Sequence, residues 1–455
     1  LRKRLQFVVF LVLAAIAAAS MWFYVIGILR AHQIADAEAK QIPRGNLSDL
    51  YPRWLGTREL LLHHRNPYSR EVALEIQEGY YGRRLDPARL NDPKDQQGFA
   101  YPVYVVFLLA PLVGIPFPVV LSVFYWLLAI LTAIALWLWL RVLRWQLPPS
   151  GLAICILLIL GSFPAVQGIK LQQLSLLVAG LMAGAAACVA SGFLFIGGAL
   201  LALATIKPQL AWPLVAWLLL WAVSNWRARQ RFVLGFGLVM ALLLVGAEII
   251  LPGWWLMFAD ALGQYRRYTQ SQSVLEVILG QILGPAVARV VGESLAVLAV
   301  LACGSALWKL RRSPAEGAAF GEATALALAL TVVVVPMYAP YNQVLMVPAV
   351  LALVRDWRFF TAGSWALRLA YAAGAFALAW QWMGSLFLSG AYLLGSFFAP
   401  FVGLKGWAIS GWKLPFFATF ALPVFVFALI LLDVRRMQQR DQAERVGAKS
   451  NRDGG

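Results

Sequence analysis

The sequence predicts an all-α, polytopic membrane protein, and three observations carry that expectation. Hydrophobic residues make up 61% of the 455, mean hydropathy is +0.73, and charged residues are held to 13%. A water-soluble domain of this size does not stay in solution with that composition. The apolar runs are also long and unalternating, as over residues 233–251, whereas the strands of a membrane barrel alternate over about ten residues. Finally, the basic residues behind the net charge of +17 sit in short clusters between apolar runs, where their role is to set topology. That placement argues against a nucleic-acid partner. Cys155, Cys188 and Cys303 are isolated within apolar runs, so neither a disulfide framework nor a zinc site is indicated.

The chain opens LRKR and then runs apolar to about Leu29, too long for the core of a signal peptide. Residues 1–29 are therefore expected to form a retained first transmembrane helix with a cytoplasmic N-terminus. Residues 30–98 hold all three histidines (His32, His63, His64) and ten of the 21 acidic residues. With the N-terminus inside, this segment is the first extracytoplasmic loop, expected to carry short interfacial helices. Its centre, NLSDLYPRWLGTRELLLHHRNPY over residues 46–68, reads as a helix with Ser48 or Asp49 as N-cap, Pro52 in the first turn and a stop at Asn66-Pro67. Leu50, Tyr51, Trp54, Leu55, Leu61 and Leu62 project onto one arc and Thr57, Glu59, His63 and His64 onto the other. The pattern suits a helix at the water–lipid boundary with Trp54 at headgroup depth.

Four prolines interrupt residues 99–118, which predicts a broken or re-entrant helix ahead of a span over residues 119–140. Further spans are expected at 151–168, 173–190, 193–206, 209–224, 232–251, 288–310, 322–337, 342–354, 364–388 and 416–433. The bundle of residues 99–433 then brings the total to about 12 crossings, 11–13 allowing for short segments. The positive-inside rule places Arg141/Arg144, Arg227/Arg229/Arg231, Lys309/Arg311/Arg312, Arg355/Arg358 and Arg435/Arg436/Arg440 together in the cytoplasm. A solvated, disordered basic tail is expected over residues 434–455. The same parity puts residues 167–173, 206–209, 253–273 and 337–343 outside, on the side of Asp49. A polar site assembled from distant parts of the chain is the economical reading.

Asp49 is the candidate reactive group. Lys207, between two apolar runs, is either a snorkelling residue or a cation aimed at a lipid phosphate. Arg266 and Arg267, between Tyr265 and Tyr268 in an outer segment, depart from the positive-inside tendency and invite the same two readings. Glu248, Glu276 and Glu293 are possible second carboxylates or helix-end residues. The chain has no P-loop, Rossmann glycine fingerprint, HExxH or GxSxG.

From residue 46 to about 350, a series of loose motifs in order resembles a known family. They are the Asp49–Tyr68 loop ending in NPYS, FAYPVYVVFLLAPL, QQLSLLVAGLMAG, ALLALATIKPQLAWPL and PMYAPYNQVLMVPAV. The chain is similar to integral-membrane glycosyltransferases of the GT-C class, specifically family 87, once called DUF2029, whose members use polyprenyl-phosphate mannose. The resemblance implies a GT-C fold in a bacterial inner membrane with the site at the extracytoplasmic face. It implies an inverting transfer of a sugar, typically mannose, from a polyprenyl-phosphate donor to a lipid- or glycan-linked acceptor, without metal or cofactor. Asp49 would act as general base. Lys207, Arg58, Arg266 and Arg267 would bind the donor phosphate, and Tyr51, Trp54, His63, Tyr101, Gln172, Gln173, Gln209, Tyr338, Tyr341 and Asn342 the substrates. Two departures stand out: Tyr101-Pro102-Val103 replaces the family's YPP-type stretch, and Ala339, Tyr341 and Asn342 occupy a late motif that often carries His or Asp. A flippase for lipid-linked sugars and a GT-C glycan ligase with a polyprenyl diphosphate donor are the alternatives. Against the flippase, the chain shows no duplicated halves.

Overall fold

The computed structural model describes residues 2–42, 45–86, 88–269 and 272–453. Leu1, the side chains of residues 2–4 and those from residue 440 onward lie outside the described residues, so Arg2, Lys3, Arg4 and Arg440 of the topology argument are not placed. Helix is the only regular secondary structure among the described residues, as an apolar medium requires when each backbone group must be satisfied within its own segment.

Among the described residues, five helices are long and apolar enough to cross a membrane: Leu5–Ala39, Phe117–Val142, Trp226–Ile250, Pro285–Leu310 and Val402–Gln439. A sixth span is formed if Pro149–Leu160 and Phe163–Lys170, bent by 57° at their junction, are taken together. This is fewer than the dozen expected, in part because of length; the expected span 364–388 instead falls on Trp365–Phe397, which at 33 residues is long enough but less apolar. Leu174–Ala190, Leu194–Ala204, Pro208–Val223 and Ala318–Val334 fall on expected spans but have only 11 to 17 residues. At 1.5 Å per residue they reach roughly 16 to 26 Å, short of a hydrocarbon core of about 30 Å. Pro208, inside the first turn of its helix, marks how one such segment ends and the next begins.

The first helix does not stop at Leu29. Through a π-helical turn, Tyr24–Leu29, it continues into Arg30–Ala39, where His32 stacks on Trp412 with centroids 4.7 Å apart. Between residues 45 and 86, the helices are Tyr51–His63 and Arg70–Tyr81. In the first, Trp54 faces protein and not headgroups. Arg53, Trp54, Thr57, Glu59 and Leu60 are all buried, and the Trp54 indole packs 5.1 Å from Phe117 and donates to the Leu112 carbonyl at 3.0 Å. Packing from two sides has overridden the one-sided pattern, because the proline-rich segment folds back over this helix. That segment forms only a short helix, Val105–Leu109, and a 3-10 turn, Ala110–Leu112, with Phe99, Tyr101, Val103 and Tyr104 buried.

Two further segments differ from expectation. Residues 253–273, read as a loop, contain the helix Trp254–Thr269. The last helix continues to Asp453 through a stretch rich in Gln, Arg, Ala and Glu, all good helix formers, where the composition had suggested an irregular tail.

At one end of the bundle the expected cytoplasmic clusters meet. The Arg229 guanidinium lies 3.9 Å from the Trp221 ring and donates to the carbonyls of Trp221, Arg311 and Ser313 at 2.6, 3.0 and 2.7 Å. Arg355 donates to the Leu143 carbonyl at 2.7 Å and pairs with Glu322 and Asp356. At the other end the segment around Asp49 meets residues 167–173, 206–209 and 337–343.

Candidate active site

Asp49 is held where three parts of the chain converge. Asn46 and Leu47 donate backbone N–H groups to the Gly79 and Tyr80 carbonyls at 3.1 and 3.4 Å, and the Asp49 amide donates to the Leu171 carbonyl at 3.0 Å. Its side chain is therefore free of capping duty: the helix begins after Leu50, which makes no side-chain cap, and the carboxylate instead accepts from the Gln173 amide. Gln173 is aimed there by a tight turn in which Gln172 adopts the left-handed conformation, φ 48°, a strained setting for a residue with a Cβ. The Gln172 side chain secures that turn by donating to the Ile169 and Lys170 carbonyls at 3.0 and 2.9 Å.

From Gln173 a chain of hydrogen bonds runs inward. Its carbonyl oxygen accepts from Lys207 Nζ at 2.9 Å, Lys207 also donates to Ser175 Oγ at 2.8 Å, and Ser175 donates to Asn342 Oδ1 at 2.8 Å. Lys207 is buried, with its ammonium 5.6 Å from the ring centroids of both Tyr101 and Tyr341. It is thus not snorkelling: the ammonium points into the protein, held by oxygens and by the negative faces of two rings. Beside it, Arg53 stacks 4.5 Å over Tyr101 and donates to the Asp49 carbonyl at 2.9 Å, while its buried Nε has no partner among the described residues.

These neighbours pull in opposite directions on the acid and the base. Burial pushes the Asp49 carboxyl above the usual carboxylate range, against the opposing effects of Arg53, Gln173 and Lys207. Lys207, in the linker between two spans, is pushed down to about 7 by burial and then by Arg53, with Asp49 acting the other way.

Next to this network lies a cavity of about 390 Å³. Of the residues singled out in the sequence, it brings together Tyr101, Lys207, Gln209, Arg266, Tyr341 and Asn342 on its wall. Asp49 stands one hydrogen-bonded amide behind Lys207. Another cavity, of about 240 Å³, bordered by Trp145, Cys155 and Val350, has no charged side chain on its wall.

Other candidates are placed elsewhere. Arg267 is exposed and borders neither cavity. Arg58 lies 5.5 Å from the Trp54 ring, and Trp54 and Tyr51 pack on Phe117. His63 contacts Glu59 at 3.2 Å in a surface cluster with Arg65. Tyr338 stacks on Phe420 at 4.8 Å and accepts from Gln343 at 2.9 Å. Glu248 accepts from the Gly253 amide, Glu276 from Ser273 and Glu293 from Arg289, which makes them local partners, the first two at helix ends and the third within Pro285–Leu310.

Arg53, Tyr265 and Asp95 escaped the sequence reading. Arg53 had a signal, since it follows Asp49 by one helical turn. Tyr265 lines the large cavity. Asp95 has its carboxyl pushed up by burial, opposed by its bond from the Gln97 amide and by Arg53. Its position in an irregular loop gives no periodicity from which its orientation follows.

The profile of glycosyltransferase family 87 matches residues 99–336, a little over half of the chain. The match takes in Tyr101, Gln173, Lys207 and Arg266 and begins after Asp49. No curated protein sequence and no solved structure matches significantly. The chain is therefore a multi-pass membrane protein belonging to glycosyltransferase family 87.

Proposed function

We propose that the protein transfers a sugar, mannose in the first instance, from a polyprenyl-phosphate donor to a hydroxyl of a lipid- or glycan-linked acceptor. The reaction takes place at the extracytoplasmic face of a bacterial inner membrane that the chain crosses about 12 times. The observation that carries this reading is the hydrogen-bonded connection from the Asp49 carboxylate through Gln173 to Lys207 on the wall of the 390 Å³ cavity.

Transfer from a phosphate-linked sugar needs a base for the incoming hydroxyl and positive charge for the departing phosphate. The acceptor oxygen attacks the anomeric carbon as the bond from that carbon to the phosphate oxygen breaks. The proton passes to Asp49, and the electron pair leaves with the polyprenyl phosphate, whose charge Lys207 and Arg266 stabilise. Attack opposite the leaving group inverts the configuration. Burial strengthens Asp49 as a base, and Asp49, Arg53 and Lys207 together leave one positive charge in excess, a setting that favours an anionic ligand.

The test is a transfer assay with purified protein, radiolabelled polyprenyl-phosphate mannose and a crude lipid extract, with and without chelator. Because side chains supply the positive charge, a new labelled lipid is expected to form at similar rates in both conditions. Donor that is neither bound nor consumed removes this donor class.

A further inference from the structure

The helix Trp254–Thr269 presents two adjacent stripes to two different cavities. Phe258, Leu262, Tyr265 and Arg266 border the large cavity beside Lys207. Met257, Asp260, Ala261, Gln264 and Tyr268, which recur at intervals of three and four, border a smaller cavity of about 130 Å³. The opposite wall of the smaller cavity comes from the outer loop, including Asn66, Tyr68 and Gln96, and Ala100 borders both.

We infer that this smaller cavity binds an uncharged sugar ring. In the transfer reading above, on which this role rests, that ring is the end of the acceptor. The chemistry of the two walls differs in sign. The large cavity is bordered by Lys207 and Arg266, whereas the only charged side chain on the small one is the carboxylate of Asp260, which repels a phosphate. What remains suits hydroxyl groups: the Gln96 amide, and an Asp260 carboxylate that accepts from the Gln264 amide at 2.8 Å while keeping acceptor capacity. Asn66, which donates to Met257 Sδ at 3.0 Å and accepts from the Tyr68 amide at 2.9 Å, holds the two walls together. Tyr68 and Tyr268 add flat apolar faces for the C–H side of a pyranose. The Tyr68 hydroxyl donates to the Tyr101 carbonyl at 2.6 Å and its ring meets Phe99 edge-on at 5.3 Å, so this wall is fixed and tied to the wall of the large cavity. The volume, well below the several hundred Å³ of a site for a larger organic ligand, limits the occupant to a terminal ring.

Full-length protein in nanodiscs, presented to an array of immobilised neutral and acidic oligosaccharides, tests the inference. Binding is expected only to neutral members, with affinity falling at least tenfold in Asp260→Ala/Gln264→Ala and in Ala261→Trp, which fills the cavity. Lys207→Ala is expected to retain it. Circular dichroism and thermal melting identify any variant that fails to fold, and Asp260 and Gln264 are exposed positions where truncation is tolerated. Absence of binding to any neutral glycan, equal binding by the double variant, or loss on Lys207→Ala overturns the assignment. Polyprenyl-phosphate mannose binding, measured separately, isolates the other failure: glycan bound without donor leaves this site standing and removes the donor reading.

Discussion

The two ends of the helical bundle each bury a cluster of charges, and they are built to opposite effect. At the end that holds Asp49, Lys207 borders a cavity with Asp49 and Arg53 off its wall, cations outnumber acids, and Lys207 is held by neutral oxygens and rings rather than by a directly paired carboxylate. At the other end Glu322, Asp356 and Asp433 lie close together and are bridged by Arg355 and Arg436. That cluster ties the helix Ala318–Val334 to the helices Val347–Arg355 and Phe417–Asp453. In the second cluster each arginine pairs directly with a carboxylate, which fastens helices, and the acid in excess leaves the charge there negative. In the first the cation in excess has no directly paired carboxylate and borders a cavity, which suits an anionic ligand.

The sharpest way to break the contrast is Asp49→Asn, which keeps the shape and removes the base. Transfer is expected to fall by ~10²–10⁴-fold with donor binding retained, measured by turnover and by equilibrium binding of the donor. Near-normal turnover would assign Asp49 to structure alone. Arg355→Ala strikes the acid-rich cluster, stranding the fully buried Glu322. The expected loss is about 3–5 kcal/mol of stability, read as a lower melting temperature, with unchanged specific activity in the folded fraction. Replacing the pair together, Arg355→Met with Glu322→Leu, is expected to recover most of that loss.

A subtler effect is on pH. The reaction needs Asp49 deprotonated, which its raised pKa delays as pH rises, and Lys207 protonated, which fails near about 7 in the free protein. The profile of kcat/KM is therefore a narrow bell, and its alkaline limb moves up in kcat, where a bound phosphate favours the ammonium. Lys207→Arg keeps the charge at all accessible pH values and is expected to move the alkaline limb up by more than about one unit. The smallest effect separates neighbours: Arg266→Ala raises the KM for donor several-fold, whereas Arg267→Ala, outside both cavities, leaves it within about twofold, as surface substitutions usually do.

Much of the architecture was readable before any coordinates. Apolar runs marked the helical segments, and parity of the basic clusters grouped residues 167–173, 206–209 and 337–343 with Asp49, which is where they meet. Lys207 was conspicuous because an ammonium between two apolar runs is costly without a partner. The role of Gln173 was not readable, because its contact with Asp49 spans 124 positions and an amide between two loops has many equivalent partners in sequence. Trp54 misled for a related reason: an arc of apolar residues looks the same whether it faces lipid or protein, and only the fold of residues 99–112 distinguishes the two.

By itself, then, the sequence determined the class of protein, the order of its helical segments and the layer in which its polar residues would gather. Those properties follow from transfer free energies and loop charges, which add up locally along the chain. The tertiary structure decided which of those polar residues touch. It turned Asp49 away from its own helix, placed Lys207 between two tyrosine rings, and split the face of the helix Trp254–Thr269 between two cavities. Such contacts depend on how separate helices pack, and no local sum contains that information.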